Sequence, residues 1–380
     1  MKVFGEERIN TYFAGSQSAP AVTGLTGGGH VVAWQSVAQD GSSDGVFAQR
    51  LDANGVAIGP EFRVNTTRGN TQNDPAVAGL SDGSFVVVWT DYAADGSSYG
   101  IYAQRYNSAG VALGNEFRVN TLTSSTQYLP SVSAYNGGFV VTWSSAGHAS
   151  DVSGYGIFGS RFDNAGNLVQ SAAANEFQAN TTTTNTQSDS DVSAFTDGSF
   201  VVVWRSEAQD TSSGGIYAQR YTSAGVKAGG ELLVNTVTAN DQSEPRVATL
   251  SDGTFVVVWT SASQDGSSSG VYAQRFLADG TPSGIEFRIN ESTAGGQYQP
   301  DVIGLSTGGF VVSWYNDNYD VGGAGSYQDV YVREYSNAGV PVAGQIKGNT
   351  PLAAQTTQSE PVWADLGMIL WAAGLTATAA

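Results

Sequence analysis

A valine-rich run ending in tryptophan recurs along the chain, at Trp34, Trp89, Trp143, Trp204, Trp259, Trp314 and Trp371. The spacing is about 55 residues, the length of a supersecondary unit that cannot bury its own faces and must stack on its neighbours. A glutamine opens each unit, at Gln17, Gln72, Gln127, Gln187, Gln242, Gln297 and Gln358. Two markers in one phase commit the chain to a repeat architecture.

Unit two, from Gln72 to Thr126, contains four strand-like pieces: PAVAGL, SFVVVW, GIYAQRY and EFRVN, here strands A to D. Asp-Gly and Asn-x-x-Gly turns separate A from B and C from D, where a hairpin needs positive φ. Strand B is apolar throughout, which predicts burial on both faces. Strands C and D alternate more, and no segment carries helical periodicity. A four-stranded unit covered on both faces needs a neighbour on each side, and radial repetition supplies them. A sandwich would show alternating strands without a long fixed period, and a solenoid would repeat sooner.

The predicted fold is therefore all-β, a seven-bladed β-propeller of four-stranded antiparallel blades. Residues 1–380 form one domain, with blades at about 17–71, 72–126, 127–186, 187–241, 242–296 and 297–357. The seventh blade is expected to be split between 358–380 and 1–16. MKVFGEERIN aligns with VALGNEFRVN (Val111–Asn120) and would lend an outer strand to the C-terminal unit, closing the ring and hiding its edges. In that unit PVWADL and MILWAAG are the expected strands A and B, and Leu375–Ala380 a shortened C.

Hydrophobic residues at 41% and aromatics at 11% exclude a disordered chain. With 16 Lys+Arg against 34 Asp+Glu, the net charge of −18 excludes nucleic acid and anionic membrane as partners, since both require a cationic surface. Cysteine is absent, so disulfides, thiolate catalysis and Cys-ligated zinc are excluded. The start, MKVFGEERIN, has no apolar h-region, so no Sec-type signal is expected. No run reaches the roughly 18 apolar residues of a membrane helix.

With strand A innermost, the long polar B–C and D–A loops share one face, the expected binding surface. The repeated DGSS loops offer Asp40, Asp95, Asp210 and Asp265, with Asp151 in the unit-three variant; calcium needs several such oxygens. Asp44 in unit one and Asp317, Asp320 and Asp329 in unit six add carboxylates. The competing reading is an Asp-turn, the carboxylate capping its own loop. The repeated Trp residues, and the arginines Arg50, Arg105, Arg161, Arg220, Arg275 and Arg333, read as inter-blade packing rather than as sugar or anion sites. Asp82, Asp197 and Asp252 read as hairpin turns. Of the two histidines, His30 takes a slot filled elsewhere by Phe85 or Phe255 and is expected in or near the core. No Ser-His-Asp set can be assembled. Asp74, Glu244, Asp301 and Glu360, however, all fall at the entrance of strand A and could converge across the channel.

Residues that break the repeat are the most informative. Unit three carries GHASDVSGYG, with His148 and Tyr155, between B and C. Unit six carries YNDNYDVGGAGSYQDVY there, with Tyr315, Asp317, Tyr319, Asp320 and Tyr327. Tyrosine, carboxylate and glycine flexibility suit a glycan or protein ligand.

The recurring DG-FVVVW, QDGSS, GIYAQR and EF-VNT strings, over Phe85–Asn120 and again over Phe255–Asn290, resemble repeats of acidic, Cys-free, adhesin-like bacterial surface proteins of the RTX-associated, type-I-secreted kind. That resemblance implies an extracellular or cell-surface setting and no defined catalytic residues. The glycine-rich nonapeptide calcium repeat is absent. The first reading is thus a non-enzymatic binding or adhesion module working through the loop face, with loop-bound calcium as an option beside the favoured Asp-turn. The alternative is a propeller hydrolase or lactonase with channel-mouth carboxylates and a metal. The two differ in where unique polar residues gather: on rim loops for a binding module, at the channel mouth for an enzyme.

Overall fold

The computed structural model describes residues 8–41, 43–67, 69–94, 96, 98–169, 175–317, 329–348, 357–362 and 372–376. The chain is all-β. Six four-stranded antiparallel sheets follow one another, each ordered A-B-C-D from the inside outwards. Their A strands are Gln17–Gly24, Gln72–Gly79, Gln127–Tyr135, Gln187–Ala194, Gln242–Thr249 and Gln297–Gly304. From blade one to blade six each A strand packs beside that of the next, and all six line one central cavity. Each outer strand D is only two residues long, Phe117–Arg118 in blade two for example.

Strand B holds the blades together. In blade two (Phe85–Tyr92), Phe85, Val86, Val87, Val88 and Trp89 are all fully buried. Successive side chains point to opposite faces, so Val86 and Val88 pack with Phe139, Val141 and Trp143 of blade three. Phe85, Val87 and Trp89 pack instead with Val31, Ala33 and Val46 of blade one. A run apolar at every position is what a strand between two neighbours requires, each side chain contributing roughly 1.5–3 kcal/mol on burial. The repeated tryptophans are core residues, and Trp89, Trp143, Trp204, Trp259 and Trp314 have no exposed face for a sugar.

The seven-bladed expectation is corrected: six blades have four strands, and no seventh four-stranded blade forms among the described residues. In its place Thr357–Val362 and Ala372–Thr376 make a two-stranded sheet, lying against blade one on one side and blade six on the other. The physical reason is in the sequence. The stretch after Gln358 keeps the glutamine and tryptophan markers but lacks the GIYAQR and EFRVN strings that form strands C and D elsewhere. Of the residues assigned to a third strand, Leu375 and Thr376 instead end the second, Leu375 pairing with Gln358, and 377–380 lie outside the described residues.

No outer strand is added by the N-terminal segment among the described residues. Its alignment with a strand-D end does hold at Asn10, which donates to Gln17 at 3.1 Å as Asn65 does to Gln72 at 2.9 Å. Blade three departs differently. Its extra residues are not a loop but an extended hairpin, Gly138–His148 with Asp151–Asp163, turning between His148 and Asp151.

Candidate active site

Each strand A begins with a glutamine that fixes the crossing from the preceding blade. Its side-chain carbonyl accepts from an asparagine seven residues earlier, as for Asn120 to Gln127 at 3.1 Å and Asn290 to Gln297 at 2.8 Å. Two residues further on, the backbone enters the left-handed region: Ala19 (φ 47°), Asp74 (51°), Leu129 (53°), Asp189 (53°), Glu244 (55°) and Gln299 (48°). The A–B register slips at the same place, between Asn73 and Ala76 and between Ser243 and Arg246 for instance. A bulge explains both, and proline follows in five of the six blades, where a missing N–H costs no ladder bond. A non-glycine residue held there costs of order 1–3 kcal/mol, a strain that collects at functional sites.

The six bulges encircle a cavity of about 510 Å³. Its lining includes Asp74, Asp189, Asp191, Glu244 and Asp301, with Arg246 and Gln299. The sequence had placed Asp74, Glu244 and Asp301 at this entrance, and it had missed Asp189, Asp191 and Arg246. The missing signal was phase: Asp189 falls two residues after its glutamine like Asp74, and Asp191 and Arg246 fall four after, like Asp301.

These carboxylates differ in what holds them. Asp191 is a strut across three blades, accepting from Ser131 Oγ at 2.7 Å and from the Val247 N–H at 2.8 Å. Glu244 uses one oxygen, Oε2, to accept from Thr260 Oγ1 at 2.7 Å and the Gln299 N–H at 2.8 Å. Its Oε1 has no hydrogen-bond partner among the described residues, so it is oriented yet open to a ligand. Asp189 carries no hydrogen bond among the described residues and lies beside Tyr128. Asp301 Oδ1 accepts from the Val302 N–H at 2.9 Å. Arg246 donates to the Pro245 carbonyl at 2.8 Å and forms no ion pair among the described residues. A small group of oriented and open polar atoms in a concave site is the usual make-up of a binding pocket.

Apart from Asp40 and Asp44, which lie close enough to interact, the loop acids do not group among the described residues. Asp210 and Asp265 each accept from the N–H and hydroxyl of the serine two residues on, Ser212 and Ser267, at 3.0 and 2.9 Å. This is the geometry of an Asp-turn. Asp40 lies 3.8 Å from Arg63, and burial raises the pKa of Asp44, opposed by Gln35 and reinforced by the Asp40 charge. Asp151 accepts from Asn180 at 2.7 Å and Gln178 at 3.1 Å, and its pKa is likewise raised by burial. Asp317 accepts from the Gly296 N–H. Among the described residues no three acidic or histidine side chains group as metal ligands. His148 bonds Ser150 at 2.8 Å and stacks on Phe158. Tyr155 pairs with Tyr128, and Tyr315 with Tyr298. Asp95, Tyr319, Asp320 and Tyr327 lie outside the described residues, and Glu360 falls on the closing strand Thr357–Val362.

No family model matches the chain. No curated protein matches it either. Solved structures similar in fold include a protein of unknown function from Dyadobacter fermentans, at TM-score 0.54 and 11% identity, over 84% of this chain and 94% of that one. The α-L-arabinanase of Penicillium chrysogenum, complexed with arabinobiose, aligns at TM-score 0.51 and 14% identity over 90% and 96% of the two chains. The GH93 α-L-arabinofuranosidase of Fusarium graminearum, also with arabinobiose, aligns at 0.50 and 11% over 98% and 97%. At such identities the likeness shows a shared propeller fold. What stands of the repeat resemblance is the four-stranded blade, since the fold relatives of named activity are glycosidase propellers. The non-enzymatic, loop-face reading is corrected to this extent: the solved structures of named activity that share the fold are glycosidases, and five carboxylates line the channel mouth.

Proposed function

We propose that the protein is a glycoside hydrolase acting on a neutral polysaccharide of the arabinan type at the channel mouth. The observation that carries this reading is the convergence of five carboxylates, from four blades, on one cavity. Glycosidic cleavage uses a pair of carboxyl groups flanking the bond, one protonating the leaving oxygen and the other acting as base or nucleophile. Glu244, held through Oε2 with Oε1 open, suits the second role. Asp189, in the adjacent blade and without a hydrogen bond among the described residues, suits proton donation. Arg246 is the one cation among the described lining residues and would hold sugar hydroxyls. The surplus of negative charge disfavours uronic and sialic acids, which supports a neutral substrate. The arabinobiose bound in the arabinanase and arabinofuranosidase fold relatives supports the sugar class. A polymer of this size does not cross a membrane unaided, so the proposal places the enzyme outside the cell.

The test is release of reducing ends from linear arabinan and from a panel of other neutral polysaccharides. Glu244→Gln and Asp189→Asn are each expected to lower the rate by roughly 10²–10⁴-fold with melting temperature unchanged. Wild-type rates in both variants, or no release from any polymer, would overturn the assignment.

A further inference from the structure

The residue after each opening glutamine is Ser18, Asn73, Ser188, Ser243 or Ser359 in five units, but Tyr128 in blade three and Tyr298 in blade six. These blades stand three apart in the ring, on opposite sides of the mouth. Each tyrosine directly precedes a cavity-lining residue, Leu129 or Gln299. Each also has an aromatic partner from its own blade. Tyr128 meets Tyr155 edge-on at 5.0 Å between ring centres. Tyr298 lies over Tyr315 at 5.4 Å and 31°.

All four tyrosines are partly exposed, unlike the tryptophans of the core. Both pairs are built rather than incidental. Tyr155 sits on the hairpin extension peculiar to blade three, opposite Ala146. The Tyr298 ring occupies the space over Gly296, where a Cβ would come within 2.2 Å of it, and its hydroxyl bonds Ser268 Oγ at 2.9 Å. Burial, with Tyr155 and Asp189 beside it, pushes the Tyr128 phenol up to about 12, so the ring is neutral at any working pH.

We propose that the Tyr128–Tyr155 and Tyr298–Tyr315 pairs are two sugar-binding platforms flanking the cavity, so that the substrate is a long linear glycan laid across the mouth and cut internally. Aromatic faces offer large, rigid contact area with a polar edge, which suits the apolar faces and hydroxyls of sugars. A pocket closed around one chain end would need no platform on the far side. Two platforms with the carboxylates between them fit a chain that enters from one side and leaves by the other. This inference rests on the channel-mouth reading, and its test separates the two.

The experiment is affinity electrophoresis in gels containing linear arabinan, galactan, β-glucan or glucomannan, with wild type, Tyr128→Ser, Tyr298→Ser and Glu244→Gln. Serine already fills this slot in blades four and five, so the tyrosine variants are expected to fold. For the retained polymer each should weaken binding about three- to tenfold, while inhibition of binding by a free disaccharide of that polymer stays unchanged. Glu244→Gln should bind the polymer like wild type and fail to cut it. Wild-type retardation of both tyrosine variants, or no retardation of wild type by any polymer, overturns the platforms. If the tyrosine variants lose binding but Glu244→Gln still cuts, the platforms stand and the assignment of Glu244 falls.

Discussion

His30 opens strand B of blade one in the slot that Phe85, Phe200, Phe255 and Phe310 fill in other blades. It is 1% exposed, in the core where the sequence put it, and neither ring nitrogen makes a hydrogen bond of ordinary geometry among the described residues. Burial lowers its pKa from 6.5, partly opposed by the Asp52 backbone. With the folded value below the unfolded one, the unfolded chain binds more protons between them. The associated stability is therefore complete above 6.5 and lost as the pH falls through the folded value. His30→Phe is expected to remove this acid sensitivity and to raise stability by roughly 1–3 kcal/mol, the cost of the unpaired buried group. Melting at about pH 5 and about pH 8 checks it; a variant that keeps the wild-type difference would contradict it. At this scale, what is local was legible. Asp82, Asp197 and Asp252 cap their own turns, each accepting from the N–H two residues on. What the ring imposes was not, because Ala19 and Leu129 are residue types that give no hint of a left-handed backbone.

Between elements, the repeated arginines turn out to join blades. Arg50 donates to the Ala109 carbonyl at 2.9 Å, Arg105 to Ala165 at 2.6 Å and Arg161 to Ser223 at 2.6 Å, each in the C–D turn of the next blade. The turn glycine makes room for the arginine stem. At Gly166, with φ +80°, a Cβ would lie 2.9 Å from Arg105 Cδ. Gly166→Ala is expected to cost about 1–3 kcal/mol from backbone strain and displacement of the stem. Arg105→Ala should return the displacement part only, leaving a coupling of about 0.5 kcal/mol or more in a double-mutant cycle. Fully additive melting data would contradict the contact. Packing by these arginines was readable from their fixed phase. The blade-three hairpin was not, since HASDVSGY has the serine and glycine content of a loop and becomes strand only because Ala146 and Tyr155 pair.

For the whole molecule, the period was legible and the blade number was not. Gln358 and Trp371 continue the markers in phase, but markers alone do not supply strands C and D, and among the described residues only two strands stand between blades six and one. The site is a property of this scale too. Asp74, Asp189, Glu244 and Asp301 lie far apart in sequence and meet because six equivalent strands line one cavity with the residues two and four after their opening glutamines. Where a sugar sits is therefore the most direct question to put to the protein. A crystal structure of Glu244→Gln soaked with arabinotriose is predicted to show the sugar in the cavity, within hydrogen-bond distance of Asp189 and residue 244. Ordered sugar on the outer loops near Asp210 or Asp265, with the cavity holding only water, would contradict the account.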